Sequence, residues 1–277
     1  MSSLHALRRL RTLRTGGRAL RLEDKVAAIT GSGRGIGRAT AILFAREGAK
    51  VAVACRTEAE GNSTVEEIAK GGGEAIFVKT DVTDETNVFR FIEKTVKRFG
   101  KLNILVNNAA AFCSGTVLEV PAEVYDRVFS VNVKGMGLCA KAAIPHLRQS
   151  GNGVIVNVSS MNGVIGTPSQ AVYNASKAAI IALTKSMAID FPDLRINVVL
   201  PGLTRTKALD DAIIQFGVPL EVGYEVLKKT PLVGRVAEPM EIAHGILFMA
   251  SDEASYATGS SLLLDGGIVN VERLIRS

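Results

Sequence analysis

Apolar residues in this 277-residue chain gather into short runs separated by stretches of helical period. The runs at 26–29, 51–54, 75–78, 104–106, 154–158, 196–200 and 262–264 consist mostly of Val, Ile, Leu and Ala. Continuous apolar runs of that length mark strands buried on both faces. Between them, 35–47, 58–70, 85–99, a long region 122–148, 171–190 and 239–251 space their apolar residues as helices do. Strand and helix alternating in this way predict an α/β fold, a doubly wound parallel sheet of about seven strands in a single domain. Ligands are then expected at the carboxyl ends of the strands. The pattern shows no second domain and no repeat of solenoid period, so one domain is expected over 22–277, preceded by a basic extension at 1–21.

One segment breaks the alternation. Residues 204–235 mix weak helical signals with Gly217, Pro219, Gly223 and Pro231, and a long insertion at the ligand face of a sheet often forms a lid. Leu203, Phe216 and Tyr224 are expected there either as the wall of an apolar substrate pocket or as packing residues.

Charge changes the picture only at the amino end. The net charge is +6, but residues 1–21 hold Arg8, Arg9, Arg11, Arg14, Arg18 and Arg21 and no acid. Removing those six from the 33 Lys and Arg leaves 27, equal to the 27 Asp and Glu. The body is neutral, which argues against a nucleic-acid partner. The extension has the composition of a mitochondrial transit peptide, although its leucines drift around a helical cylinder; the alternatives are a cytoplasmic protein with a basic tail or import into the mitochondrial matrix. No apolar run has the length of a membrane span. Cys55, Cys113 and Cys139 form no CxxC pair, and His5, His146 and His244 stand alone, so neither a disulfide framework nor a metal site is indicated.

Two short blocks carry chemistry. The first, TGSGRGIG at 30–37, follows a strand and opens a helix, where free backbone N–H groups and the helix dipole attract a pyrophosphate. The second holds Ser160, Tyr173 and Lys177. Four residues apart on a helix, Tyr173 and Lys177 share a side, so the ammonium is expected to lower the phenol pKa from its ordinary value of about 10. A dinucleotide beside a tuned proton donor points to hydride transfer to a carbonyl.

These blocks resemble the short-chain dehydrogenase/reductase family, a Rossmann-type fold. TGSGRGIG looks like its TGxxxGIG loop, Asn107-Asn108-Ala109 its NNAG block, Ser160 with Tyr173 and Lys177 its catalytic signature, Pro201-Gly202 with Thr206 its PGxxxT, and Asp265-Gly266-Gly267 its DGG. Ala110 departs from the usual glycine. The resemblance implies that Ser160 orients the carbonyl oxygen, Tyr173 protonates it, and Lys177 tunes the tyrosine and binds the nicotinamide ribose. It implies that Asn132 holds a water linking Lys177 to solvent. For the dinucleotide it implies Gly31, Gly35, Ile36, Gly37, Asp81, Val82, Asn108, Pro201, Gly202 and Thr206, with Asp81 on the adenine and Thr206 on the carboxamide. Asn107 is expected to hold neighbouring strands together, and Ser159 to point away from Ser160.

The second strand ends on Cys55-Arg56, where an acid would bind the ribose hydroxyls of NAD(H). With Arg34 in the glycine loop, Arg56 offers a second guanidinium for a 2′-phosphate. NADP(H) is therefore the expected cofactor, with NAD(H) possible. The expected substrate is a small apolar ketone or secondary alcohol; a 3-oxoacyl thioester or a sugar or other alcohol is the alternative. A non-catalytic dinucleotide-binding protein would not need Ser160, Tyr173 and Lys177, and a reductase of carbon–carbon double bonds would be expected to alter the Tyr/Lys spacing. The helix bearing Lys177 is apolar on nearly all sides, and relatives use that helix in assembly, so a homotetramer is expected.

Overall fold

The computed structural model describes residues 19–269, so nearly all of the basic extension lies outside the described residues. Seven strands form one sheet: β1 (Val26–Thr30), β2 (Lys50–Cys55), β3 (Ala75–Lys79), β4 (Ile104–Asn107), β5 (Val154–Val158), β6 (Arg195–Pro201) and β7 (Ser261–Leu264). Their order is β3-β2-β1-β4-β5-β6-β7, and every adjacent pair is parallel. Each strand lies within a residue or two of its expected bounds.

The helices are α1 (Gly35–Arg46), α2 (Glu58–Lys70), α3 (Glu85–Phe99), α4 (Ala122–Phe129), α5 (Gly135–Gln149), α6 (Ala171–Asp190), α7 (Lys207–Gln215), α8 (Leu220–Leu227) and α9 (Pro239–Ala250). They cover both faces of the sheet, and successive strand residues supply opposite cores. Ala27 and Ile29 pack with Phe44 of α1 and Ile246 of α9, whereas Val26 and Ala28 pack with Phe91 of α3 and Leu147 of α5. Each of the larger of these fully buried side chains, such as Ile29 and Phe91, contributes about 1.5–3 kcal/mol of apolar transfer. The strand order reverses between β1 and β4, and the crevice at such a switch point is where an open α/β sheet binds ligands.

The expected single helix over 122–148 is two helices. A five-residue π-turn, Ser130–Lys134, joins α4 to α5. Gly135 follows it against Val82, whose Cγ2 would lie 2.8 Å from an added Cβ. One extra residue per turn shifts a helix face without altering its composition, so periodicity does not register it. The irregular segment at 204–235 holds α7 and α8. No helix among the described residues is long and apolar enough to cross a membrane.

Candidate active site

The glycine loop leaves the carboxyl end of β1 and is pinned from below. Ser32 donates to the Ile29 carbonyl at 2.7 Å and accepts from Ala54 N–H at 3.0 Å, and Thr64 of α2 donates to the Ser32 carbonyl at 3.1 Å. Asn108 donates its amide to the carbonyls of Thr30 and Gly31, both at 3.1 Å. Gly31 and Gly35 take φ values of 63° and 56°, which side chains resist. At Gly37 an added Cβ would stand 2.4 Å from the Gly31 carbonyl oxygen. The helix begins behind Arg34 with no side-chain cap and no acid in its first turn. Its orphan N–H groups therefore face a cleft that admits backbone-close contact, which fits a pyrophosphate.

The remaining expected cofactor residues line the same end of the sheet. Ile36 packs against the α1 side of the core. Pro201 ends β6, and Gly202 passes so close to Asp265 that a Cβ would lie 2.6 Å from its Cα. Thr206 sits beside Gly35 and also caps α7, accepting from Leu209 N–H at 3.4 Å. Asp81 closes a local turn by accepting from the N–H and hydroxyl of Thr83 at 2.9 and 2.8 Å, while Val82 is buried. Asp84 caps α3. Arg56 is exposed. Arg34 does not stand free: its Nη1 lies 3.8 Å from Oε1 of Glu60.

At the end of β5 the chain turns outward. Ser159 points back, its hydroxyl donating to the Lys177 carbonyl at 2.7 Å. Ser160 caps the short 3-10 turn Met161–Gly163, accepting from Asn162 N–H at 3.2 Å, and its hydroxyl acts on the Tyr173 phenol, favouring the ionised form. Tyr173 and Lys177 project from one side of α6. Lys177 is 2% exposed, lies 5.6 Å from the Tyr173 ring centre and donates to the Val158 carbonyl at 3.1 Å. That bond leaves two of its three N–H donors for other acceptors.

The expectation of a lowered phenol is corrected here. Burial pushes Tyr173 up to about 12; the Ser160 hydroxyl works against this and Cys113 adds to it. The phenol stands among Phe112, whose ring meets it edge-on at 5.0 Å, Cys113, Val128 and Val172, so desolvation sets the direction of the shift. Burial also pushes Lys177 down to about 8.

Asn132, buried in the π-turn, is fixed by hydrogen bonds to protein groups. Its Oδ1 accepts from Ala111 N–H at 2.7 Å, and its Nδ2 donates to the Ala111 carbonyl and to Ser176 Oγ, both at 2.9 Å. Both amide hydrogens are committed to protein groups, and Ser176 in turn donates to the Tyr173 carbonyl at 2.7 Å. The residue thus clamps the loop after β4 to α6. Asn107 does link strands, donating to Asn157 at 3.0 Å.

A polar cluster that sequence reasoning missed lies beside the trio. Asn162 donates to Thr167 Oγ1 at 2.8 Å and bonds Gln170, and the Asn174 amide completes the group. It ties the turn after Ser160 to the start of α6. Tyr224 is no free pocket wall: it donates to Asp210 at 2.8 Å and lies under Arg205, 4.2 Å away. Phe216 is exposed.

A glycine loop shaped to admit a pyrophosphate at the switch point of a parallel sheet, near a Ser/Tyr/Lys group whose lysine is buried, fits a dinucleotide-dependent oxidoreductase. The chain belongs to the short-chain dehydrogenase/reductase family. A family model described as enoyl-(acyl carrier protein) reductase matches residues 31–269. The chain is 42% identical over 250 residues to an uncharacterized oxidoreductase of Thermotoga maritima, covering 90% of this chain and 98% of that one. It is 40% identical over 251 residues to 2,5-dichloro-2,5-cyclohexadiene-1,4-diol dehydrogenase of Sphingobium indicum, with coverage of 90% and 98%. The crystal structure of a short-chain type dehydrogenase/reductase from Mycobacterium marinum superposes with a TM-score of 0.84 at 34% identity, covering 91% of this chain and 98% of that one. The protein is thus an oxidoreductase of small-molecule alcohol or carbonyl groups that uses a nicotinamide dinucleotide.

Proposed function

We propose that this enzyme is an NADP(H)-preferring ketone reductase in which Tyr173 is the proton donor. The observation that carries the reading is the convergence of Ser160 and buried Lys177 on one phenol. NADPH, when bound, supplies the hydride. Gly31, Arg34, Gly35, Ile36 and Gly37 would hold its pyrophosphate side, Arg34 and Arg56 a 2′-phosphate, Asp81 and Val82 the adenine, and Asn108, Pro201, Gly202 and Thr206 the nicotinamide side.

A phenol raised to about 12 is fully protonated at neutral pH, which is the form that reduction requires. Ser160 bonds the carbonyl oxygen as negative charge grows there, and Tyr173 passes its proton to that oxygen. The phenolate left behind lies near the Lys177 ammonium in a buried setting, where opposite charges attract strongly. Lys177 also has donors to spare for a ribose hydroxyl. Asn132 acts at one remove, through Ala111 and Ser176.

The reverse reaction, oxidation of a secondary alcohol, is the second reading, favoured by the name of the diol dehydrogenase relative. The four-residue Tyr/Lys spacing supports carbonyl over carbon–carbon double-bond chemistry, although the matching family model is named for enoyl reduction. A 3-oxoacyl thioester or a sugar alcohol is the alternative substrate. Exposed Ala175, Ala178, Ala182 and Ile189 on α6 support a homotetramer. A cytoplasmic location is proposed, with the mitochondrial matrix resting on residues outside the described chain. Following NADPH and NADH absorbance with cyclic ketones, 3-oxoacyl thioesters, enoyl thioesters and sugars tests the reading. NADPH-dependent ketone turnover is expected, and turnover confined to enoyl thioesters would overturn it.

A further inference from the structure

The end of β2 is usually where an acidic side chain selects NAD(H), and Cys55 stands there instead. Its thiol donates to the Thr57 carbonyl at 3.2 Å and, raised by burial and by Glu60, stays neutral near pH 7. It therefore offers no anionic acceptor. Glu60, in the first turn of α2, fills that gap from the side. A Cβ built on Gly33 would meet Cys55 Sγ at 2.8 Å and Glu60 Cβ at 2.9 Å, so the carboxylate rises where the glycine loop and the end of β2 meet. From there it pairs with Arg34 at 3.8 Å, with side-chain exposures of 35% and 55%. A helix amino end suits an anion, and the Thr64 hydroxyl bonds the Glu60 carbonyl at 3.0 Å, which holds the backbone in place.

We infer that Glu60 sets the cofactor selectivity of this enzyme, by competing with a 2′-phosphate for Arg34 and offering its carboxylate to an unphosphorylated 2′-hydroxyl. This rests on the reading that Arg34 faces the adenosine ribose. A 2′-phosphate gains Arg34 only by displacing a carboxylate that then repels it. A free hydroxyl can donate to the same carboxylate and leave the ion pair intact. The result is a preference for NADP(H) that is shallower than two arginines alone would give.

The test uses the full chain and the fluorescence of bound NADPH and NADH to measure Kd for wild type, Glu60→Gln, Arg34→Gln and the double variant, at low and high salt. Glu60→Gln is expected to tighten NADPH about fivefold, the scale of one exposed ion pair, and to weaken NADH. The shift should shrink at high salt and in the Arg34→Gln background. A ratio of NADPH to NADH affinity unchanged by Glu60→Gln, in protein whose melting temperature matches wild type, would overturn the role of Glu60. Wild-type protein that binds NADH more tightly than NADPH would instead overturn the NADP(H) preference, while a ratio that still moves with Glu60→Gln would uphold Glu60 as the selector.

Discussion

Lys177 lies over the face of the Tyr173 ring, with Nζ 5.6 Å from the ring centre, and bonds the Val158 carbonyl at 3.1 Å. The cation is anchored to the end of β5, two residues before Ser160, so the sheet and α6 jointly fix its distance from the phenol. A cation held this way favours the phenolate, while burial of the phenol works against it and keeps its pKa above the ordinary value.

The buried lysine also makes stability depend on pH. Its folded pKa, about 8, lies below the ordinary 10.5, so the unfolded chain binds more protons between those values. Burial of the charge costs stability below about pH 8, and the cost is relieved as pH rises toward 10.5. Relative to Lys177→Met, the wild type is expected to gain roughly 2–3 kcal/mol over that window. Tyr173, raised to about 12, pulls the other way above pH 10 but does so in both proteins. Urea unfolding at pH 7.5 and 10 measures the difference; parallel behaviour of the two proteins would contradict the burial of a charged lysine.

Gly37→Ala is expected to weaken dinucleotide binding about 10- to 100-fold, the effect of 1–3 kcal/mol of overpacking. The new methyl would stand 2.4 Å from both the Gly31 carbonyl oxygen and Asn108 Nδ2, which hold the loop's shape. Isothermal titration with NADPH reads this out. Unchanged affinity would mean that the loop does not carry the pyrophosphate.

Asn132→Ala removes three hydrogen bonds and strands the N–H and carbonyl of Ala111. A loss of roughly 2–4 kcal/mol of stability is expected, together with a lower kcat, because α6 loses its tie through Ser176. Asn132→Asp should recover part of the stability, since a carboxylate still accepts from Ala111 N–H. Wild-type stability in Asn132→Ala would contradict the clamp.

Much of this architecture is legible in the residues themselves. The Val- and Ile-rich runs placed all seven strands, because a strand covered on both faces must be apolar throughout. The spacing of Ser160, Tyr173 and Lys177 put them on one turn and one helix face. The π-turn at Asn132 escaped because it adds a residue without changing the pattern. Glu60 escaped because its partner Arg34 is distant along the chain and, with Glu58 in the same first turn of a helix, it reads as a dipole complement. The raised Tyr173 pKa escaped for a different reason: desolvation depends on Phe112, Val128 and Val172, three segments brought together only by folding.

The most direct test of the account is Tyr173→Phe, which removes the phenol hydroxyl and leaves the ring in its apolar surroundings. Ketone reduction with NADPH should fall by about 10²–10⁴, while the Kd for NADPH stays within about twofold of wild type, the tolerance for a substitution that keeps the ring's packing. Turnover close to wild type in protein with intact NADPH binding would show that the proton comes from another group.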